Sequence, residues 1–184
     1  MSEPSIVSAG KGKIVRARGR VMAFMAIAAQ TGGDFSLMER TVPPRGRRPL
    51  PHRHVNCSEA FWVLDGTITF VFDGVERRGG PDDFLLVPRG AGHTFGNDGE
   101  EPARLLVLHA PAMDGYFAEL ETLWSRENPP APEEERALMA RYGMEPAGSR
   151  SKLPAASDQP GNLVTHAAGH DNGHRQQPWQ HEIS

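Results

Sequence analysis

His52 and His54 stand one residue apart, and Glu59 follows after a short interval. Alternate residues of an extended strand share a face, so the two imidazoles project together. The intervening Asn56-Cys57-Ser58 suits a bend that delivers Glu59 from the next strand. Two imidazoles and a carboxylate converging on one point form a facial set with open positions, which is what a catalytic metal site requires. A second segment, Pro88-Arg89-Gly90-Ala91-Gly92, makes a rigid turn, and His93 opens the strand after it, with Asn97 further on. That turn fixes where the strand enters and places His93 in the same interior as a fourth ligand. Three imidazoles and a carboxylate suit Fe, Mn, Ni, Co, Cu or Zn, and their types do not choose among these metals.

The elements that must hold these side chains are short. The chain has 184 residues, 38% of them hydrophobic, with 20 glycines and 16 prolines. At about 150 residues per domain this is one domain with an extension. Candidate strands are Lys13–Arg18, Val21–Ala29, Asp34–Val42, Leu50–His54, Ala60–Leu64, Thr67–Phe72, Phe84–Val87, His93–Asn97 and Ala103–His109. Turn signals separate them, Asp65-Gly66 and Asp73-Gly74 among them, with another turn expected over Arg78–Pro81. Many short strands with frequent turns predict an all-β sandwich or barrel over residues 7–110. The period then changes. Met113, Phe117, Leu120 and Trp124 form one stripe of a helix that must end before Pro129-Pro130. A second helix is expected to open at Pro132 and stop at Gly143. Residues 111–143 are therefore a helical segment, expected to pack on an outer face of the β-domain. Residues 145–184 carry few large apolar side chains, too few to offset the entropy of ordering them, and read as a disordered low-complexity tail or a strap lying on another surface. His166, His170 and His174 recur within it, but Gly169 and Gly173 argue against a helical metal face.

Composition excludes several classes. Twenty Lys+Arg against 23 Asp+Glu leave a net charge of −3, so nothing points to nucleic acid. The single cysteine, Cys57, closes no intrachain disulfide. The longest apolar run, Val21–Ala29, is too short to span a bilayer, and the first residues lack the basic and apolar regions of a signal peptide. The expectation is a cytoplasmic protein that engages neither nucleic acid nor membrane.

The pattern Gly46-x5-His52-x-His54-x4-Glu59-x6-Gly66 resembles the first motif of the cupin superfamily, and Pro88-x-Gly90-x2-His93-x3-Asn97 resembles most of the second. One departure is Asp82-Asp83, where the family usually has Gly-Asp. The resemblance implies a jelly-roll antiparallel β-barrel, here followed by two short C-terminal helices, with His52, His54, Glu59 and His93 holding one divalent metal. The size and the ligand set also resemble quercetin 2,3-dioxygenase-like monocupins. That implies a dioxygenase acting on an aromatic or enolic small molecule, with O2 as co-substrate and Glu59 as the base. The alternatives are a redox-neutral isomerase, cyclase or lyase of small-molecule metabolism, and a non-enzymatic module that binds a small molecule.

An apolar substrate pocket is expected from Met22, Phe24, Phe35, Phe61, Phe70, Phe72 and Phe95, with Met38 and Phe84 as further candidates and His109 at a strand end of unsettled parity. Phe61 and Val63 fall on the side of Glu59, and Ile68, Phe70 and Phe72 share a face. Val21–Ala29 is apolar on both faces, so either the C-terminal helices or a partner subunit must cover it, and the resemblance to small monocupins, which commonly pair through such sheets, implies a homodimer. Arg45, Arg47, Arg48 and Arg53 read as a solvated loop rather than an anion site. Cys57 reads as a small packed group without a chemical role.

Overall fold

The computed structural model describes residues 4–46 and 48–147. Its strands are β1 (Lys13–Ala17), β2 (Arg20–Ala26), β3 (Ser36–Val42), β4 (His52–His54), β5 (Ser58–Asp65), β6 (Ile68–Phe72), β7 (Val75–Gly79), β8 (Phe84–Val87), β9 (His93–Gly96), β10 (Ala103–Ala110) and β11 (Met144–Pro146). Its helical segments are α1 (Ala28–Thr31), α2 (Asp114–Trp124) and α3 (Pro132–Arg141). The strands form a six-stranded sheet ordered β1-β2-β3-β10-β5-β8 and a five-stranded sheet ordered β11-β4-β9-β6-β7, with antiparallel pairing throughout.

Period-2 alternation builds this architecture. β10 buries Ala103, Leu105, Val107 and His109 and turns the intervening residues outward. β5 buries Glu59, Phe61 and Val63 on one face, as their parity predicts. The two inward faces meet where Phe61 contacts Phe70 of β6 and Phe95 of β9, at ring-centroid distances of 5.2 and 4.9 Å. Cross-sheet aromatic packing of this kind adds about 0.5–1.5 kcal/mol per pair beyond the burial itself. The expected two-sheet jelly-roll barrel with two C-terminal helices is the architecture observed.

Several expectations are corrected. The apolar run Val21–Ala29 is not one strand: β2 ends at Ala26, and Ala28–Thr31 turn as helix before Gly32 closes that turn at φ 68. The turn placed at Arg78–Pro81 begins later, because Val75–Gly79 form β7. That strand is exposed over Val75–Arg78 and rich in charge, so neither alternation nor apolar content marks it. It is a charged edge strand, which resists pairing with other chains. The low-complexity tail does not begin at Glu145. Met144–Pro146 form β11 and pair with β4, placing Met144 opposite His54 and Pro146 opposite His52. The remainder of that tail from residue 148, with His166, His170 and His174, lies outside the described residues, as does Arg47.

The helices also sit differently from the expectation. Rather than lying flat on an outer face, they roof the opening of the barrel. Phe117 of α2 packs against Phe24 at 5.4 Å and against the inward His109 at 5.5 Å. Met113, Tyr116, Phe117 and, from α3, Met139 line the same cavity as His52, His54 and Glu59. The buried Glu135 of α3 pairs with Arg18, tying the roof to the β1–β2 turn. Among the described residues, no helix is long and apolar enough to cross a membrane.

Candidate metal centre

β4 is only three residues long, yet its neighbours leave it little freedom. It pairs with β11 on one side and with β9 on the other, where His52 stands opposite His93. Its inward residues are His52 and His54, and the intervening Arg53 turns out to bind Glu145 at 2.7 Å. The Pro88–Ala91 turn locks onto the same strand. The amide of Ala91 donates to the Pro88 carbonyl at 3.2 Å, and Gly90, at φ 80, donates its own amide to the His54 carbonyl at 2.8 Å. A positive φ at this third turn position is what glycine supplies. Glu59 comes from the opposing sheet, on β5, directly across from His109 on β10. The cluster therefore spans both sheets.

His52, His54, Glu59 and His93 each offer one ligand atom, and these atoms all lie within 4.8 Å of one another. The four residues are 8, 4, 5 and 2% exposed, which shields the cluster from bulk water. His52 Nδ1 lies 2.8 Å from the Leu50 carbonyl oxygen and His93 Nδ1 lies 3.2 Å from that of Ala91. Each Nδ1–H donates outward, which at His52 leaves Nε2 as the inward lone pair, the tautomer that a metal ligand needs. His93 Nε2 faces Glu59 Oε2 at 2.8 Å, where a bound metal would take the place of its proton. His54 is different: neither of its buried ring nitrogens has a hydrogen-bond partner. Its Nε2 approaches Glu59 Oε2 at 3.3 Å without bonding geometry. A buried imidazole without partners costs stability, and a metal bound at Nε2 satisfies it. The residues present thus fit a divalent transition metal.

The electrostatics support ligation. Burial, followed by the proximity of His93, lowers the His52 pKa to about 4, so its imidazole is neutral at physiological pH. Burial is also the largest influence on Glu59 and pushes its pKa up. Contacts with His109, His54 and His93 outweigh it and hold the carboxyl well below its usual range. His93 feels the reverse balance: burial pulls it down, but its 2.8 Å contact with Glu59 Oε2 raises it overall. Glu59 Oε2 faces the ligand histidines while Oε1 faces His109 Nε2 at 3.1 Å. One carboxylate thus contacts both the metal ligands and a further imidazole.

The expected pocket residues separate into three groups. Phe95 and His109 line the cavity over the cluster, and Met22 lines an adjoining one. Phe24, Met38, Phe61 and Phe70 are fully packed core, and Phe72 stacks on Phe70 at 6.2 Å on the side of a different cavity. Phe35 and Phe84 are corrected outright: they are 37% and 60% exposed and belong to the surface. Cys57 is buried, and desolvation pushes its thiol up to about 11, in keeping with a packed group. Asn97 holds no ligand position. Its amide donates to the carbonyls of Val42 and Glu101, at 3.1 and 2.6 Å, and its Oδ1 accepts from Gly99.

Of the expected solvated arginines, Arg45, Arg48 and Arg53 pair with Glu100, Asp98 and Glu145. The arginines that sequence reasoning missed are Arg18 and Arg40, which line the cavity over the metal cluster. Parity offered a signal for Arg40, since it shares the inward register of Ser36, Met38 and Val42 along β3. The roof residues Tyr116 and Met139 carried no such signal.

Residues 38–109 match the family described as the cupin domain. The chain carries a cupin domain over these residues. Quercetin 2,3-dioxygenase of Bacillus subtilis (strain 168) is 27% identical over 117 residues, 64% of this chain and 34% of that protein. Endoribonuclease YbeY of Myxococcus xanthus (strain DK1622) is 31% identical over 113 residues, 61% of this chain and 38% of that protein. This chain spans little more than a third of either relative, and their names describe unrelated chemistries. Among solved structures, the polyketide cyclase RemF from Streptomyces resistomycificus matches at a TM-score of 0.51 with 25% identity, covering 59% of this chain and 80% of that one.

Proposed function

We propose that this cupin is a metal-dependent dioxygenase acting on an aromatic or enolic small molecule. The observation that carries the proposal is the buried set of His52, His54, Glu59 and His93, whose ligand atoms lie within 4.8 Å of one another under an aromatic roof. Similarity to a quercetin 2,3-dioxygenase supports the choice of reaction. A divalent metal held by these four side chains supplies a Lewis acid and a site where O2 and an enolic oxygen can be brought together.

The chain's own groups do the rest. The carbonyls of Leu50 and Ala91 hold His52 and His93 in the ligating tautomer. Glu59 is ionised throughout the physiological range and accepts the proton of a substrate hydroxyl at a carboxylate oxygen. Its Oε1 lies within proton-transfer reach of His109 Nε2, so His109 can hold or pass on that proton. Phe95, Tyr116 and Phe117 exclude water from the cavity.

A second reading, a redox-neutral cyclase, draws support from the likeness to the polyketide cyclase. It uses the same ligands and the same base without oxygen. Oxygen uptake by the metal-reconstituted protein, measured across a panel of enolisable aromatics, decides between them. Substrate-dependent uptake supports the dioxygenase, and anaerobic metal-dependent turnover supports the cyclase. No turnover in either condition favours a small-molecule-binding module. We further propose a homodimer, supported by the outward apolar residues Trp62, Phe84 and Leu86, which are 46, 60 and 58% exposed on neighbouring strands β5 and β8. Sedimentation at micromolar concentration tests it, and a monomer across that range removes it.

A further inference from the structure

A larger chamber adjoins the cavity over the metal cluster. It holds about 250 Å³, and the two share Arg18, Arg40, Pro49, Leu50 and Phe117 in their walls. Its lining carries the guanidinium groups of Arg18, Arg20, Arg40 and Arg48 against the single carboxylate of Glu135. Arg18 is engaged by Glu135 and by the Tyr116 hydroxyl at 3.2 Å, and Arg48 by Asp98.

Arg40 stands apart from these. Its guanidinium lies over the Phe95 ring at 5.1 Å from the centroid, a contact that holds it in place without neutralising it. Its Nε is shut off from solvent and has no hydrogen-bond acceptor. A charged donor left in that state is costly, and neighbouring guanidiniums raise the cost. Burial, then Arg20, lowers the Arg40 pKa to about 10, which still leaves it a cation at neutral pH. A second donor, the indole Nε1 of Trp124, is also buried without an acceptor, and Trp124 lines the same chamber. The lining also carries the apolar Met22, Phe117 and Leu120. The chamber therefore combines two buried donors without acceptors, on Arg40 and Trp124, with apolar side chains in the same lining.

We infer that the substrate is an aromatic or unsaturated acid whose carboxylate is received by Arg40, with its unsaturated frame against the Phe117 wall. A planar carboxylate matches the guanidinium fork and accepts two parallel hydrogen bonds. Because Arg40 borders both cavities, a carboxylate held there leaves the rest of the molecule directed toward the metal cluster. This deepens the proposed function, resting on the same site and adding the charge of its substrate.

Calorimetric titration of the purified full-length chain with benzoate, benzamide and inorganic phosphate tests the inference. Benzoate is expected to bind at least about tenfold more tightly than the isosteric, uncharged benzamide, with an affinity that falls as salt is added. Arg40→Met should erase that preference while metal content is retained, whereas Arg45→Met, at an exposed ion pair outside the chamber, should preserve it. If Arg40→Met does not fold, the wild-type ratio of benzoate to benzamide binding and its salt dependence decide the matter. Undetectable benzoate binding, benzamide binding as tight as benzoate, or an unchanged preference in folded Arg40→Met overturns the inference. Phosphate binding more tightly than benzoate overturns the carboxylate assignment. Binding requires no oxygen and no turnover, so the dioxygenase reading can fail while the carboxylate site stands, and the reverse.

Discussion

Replacing Glu59 by glutamine separates two roles that the structure gives one side chain. The carboxylate presents Oε2 to His93 at 2.8 Å and to His54 at 3.3 Å, and Oε1 to His109 at 3.1 Å. Glutamine is nearly isosteric, so its carbonyl oxygen can occupy the Oε2 position and remain a weaker ligand. Its amide then occupies the Oε1 position and has no capacity to accept a proton. With metal supplied in excess, loss of a general base should lower turnover by about 100- to 10,000-fold, with little change in KM. The assay is the initial rate of the metal-saturated variant on the substrate identified by the oxygen-uptake panel. A loss below about tenfold would refute the base assignment and leave Glu59 as a ligand alone.

The same variant makes a second statement without any substrate. In metal-free protein, His93 is raised overall by Glu59, so its contribution to stability is present below the unfolded pKa and is lost as pH rises through the folded value. Without the carboxylate, both Glu59 influences that raise His93 are removed, leaving burial opposed by the Ala91 carbonyl alone, so this pH-dependent contribution shrinks. Thermal unfolding of metal-free protein between pH 5 and 8 should show the wild type losing stability relative to Glu59→Gln as pH rises. Parallel curves would refute this coupling.

Three further outcomes follow from particular residues. Cys57, with its thiol pushed up to about 11, should react with an aromatic disulfide at pH 8 roughly two orders of magnitude more slowly in the native protein than in urea, and comparable rates would contradict its packed environment. Asp82 is the third residue of a turn closed by the Asp83 amide on the Gly80 carbonyl, and it sits at φ 68 where glycine is favoured. Asp82→Gly should therefore raise stability by up to about 1 kcal/mol in urea unfolding, and a fall would show that the aspartate is held by something else. A chain ending at Gly148 keeps β11, and the Ala147 amide still donates to the Pro51 carbonyl, so it should fold and retain metal. A chain ending at Gly143 strips the edge from β4 and should lose metal, and equal metal content in both would contradict a supporting role for β11.

How far the sequence carried depends on where the information lies. His52, His54 and Glu59 were readable because period-2 parity and a short bend are local properties, and β4 and β5 honour both. Phe84–Val87 and the start of α3 at Pro132 were likewise marked by their own residues. β7 escaped because an exposed, charged edge strand has no apolar alternation to betray it. β11 escaped because three residues ending in proline become a strand only through β4 beside them. The substrate side of the site was the least readable. Arg18, Arg40 and Tyr116 are far apart in sequence and meet only because α2 and α3 fold over the barrel mouth. Arg40 carried a clue in its inward parity, but an arginine facing a core reads as an anomaly until the chamber around it is seen. His109 was similar, since the alternation of β10 settles its direction only once both strand ends are fixed.

The central claim is that His52, His54, Glu59 and His93 hold a single divalent metal. Metal content of the purified protein by elemental analysis, after reconstitution and removal of loosely bound ions, tests it most directly. The wild type should retain about one equivalent per chain, and His52→Ala or His54→Ala should each lose most of it, because ligands on one short strand act as a unit. His109→Ala, outside the four-ligand set, should keep the wild-type content. Full stoichiometric metal in both His52→Ala and His54→Ala would contradict the four-ligand centre.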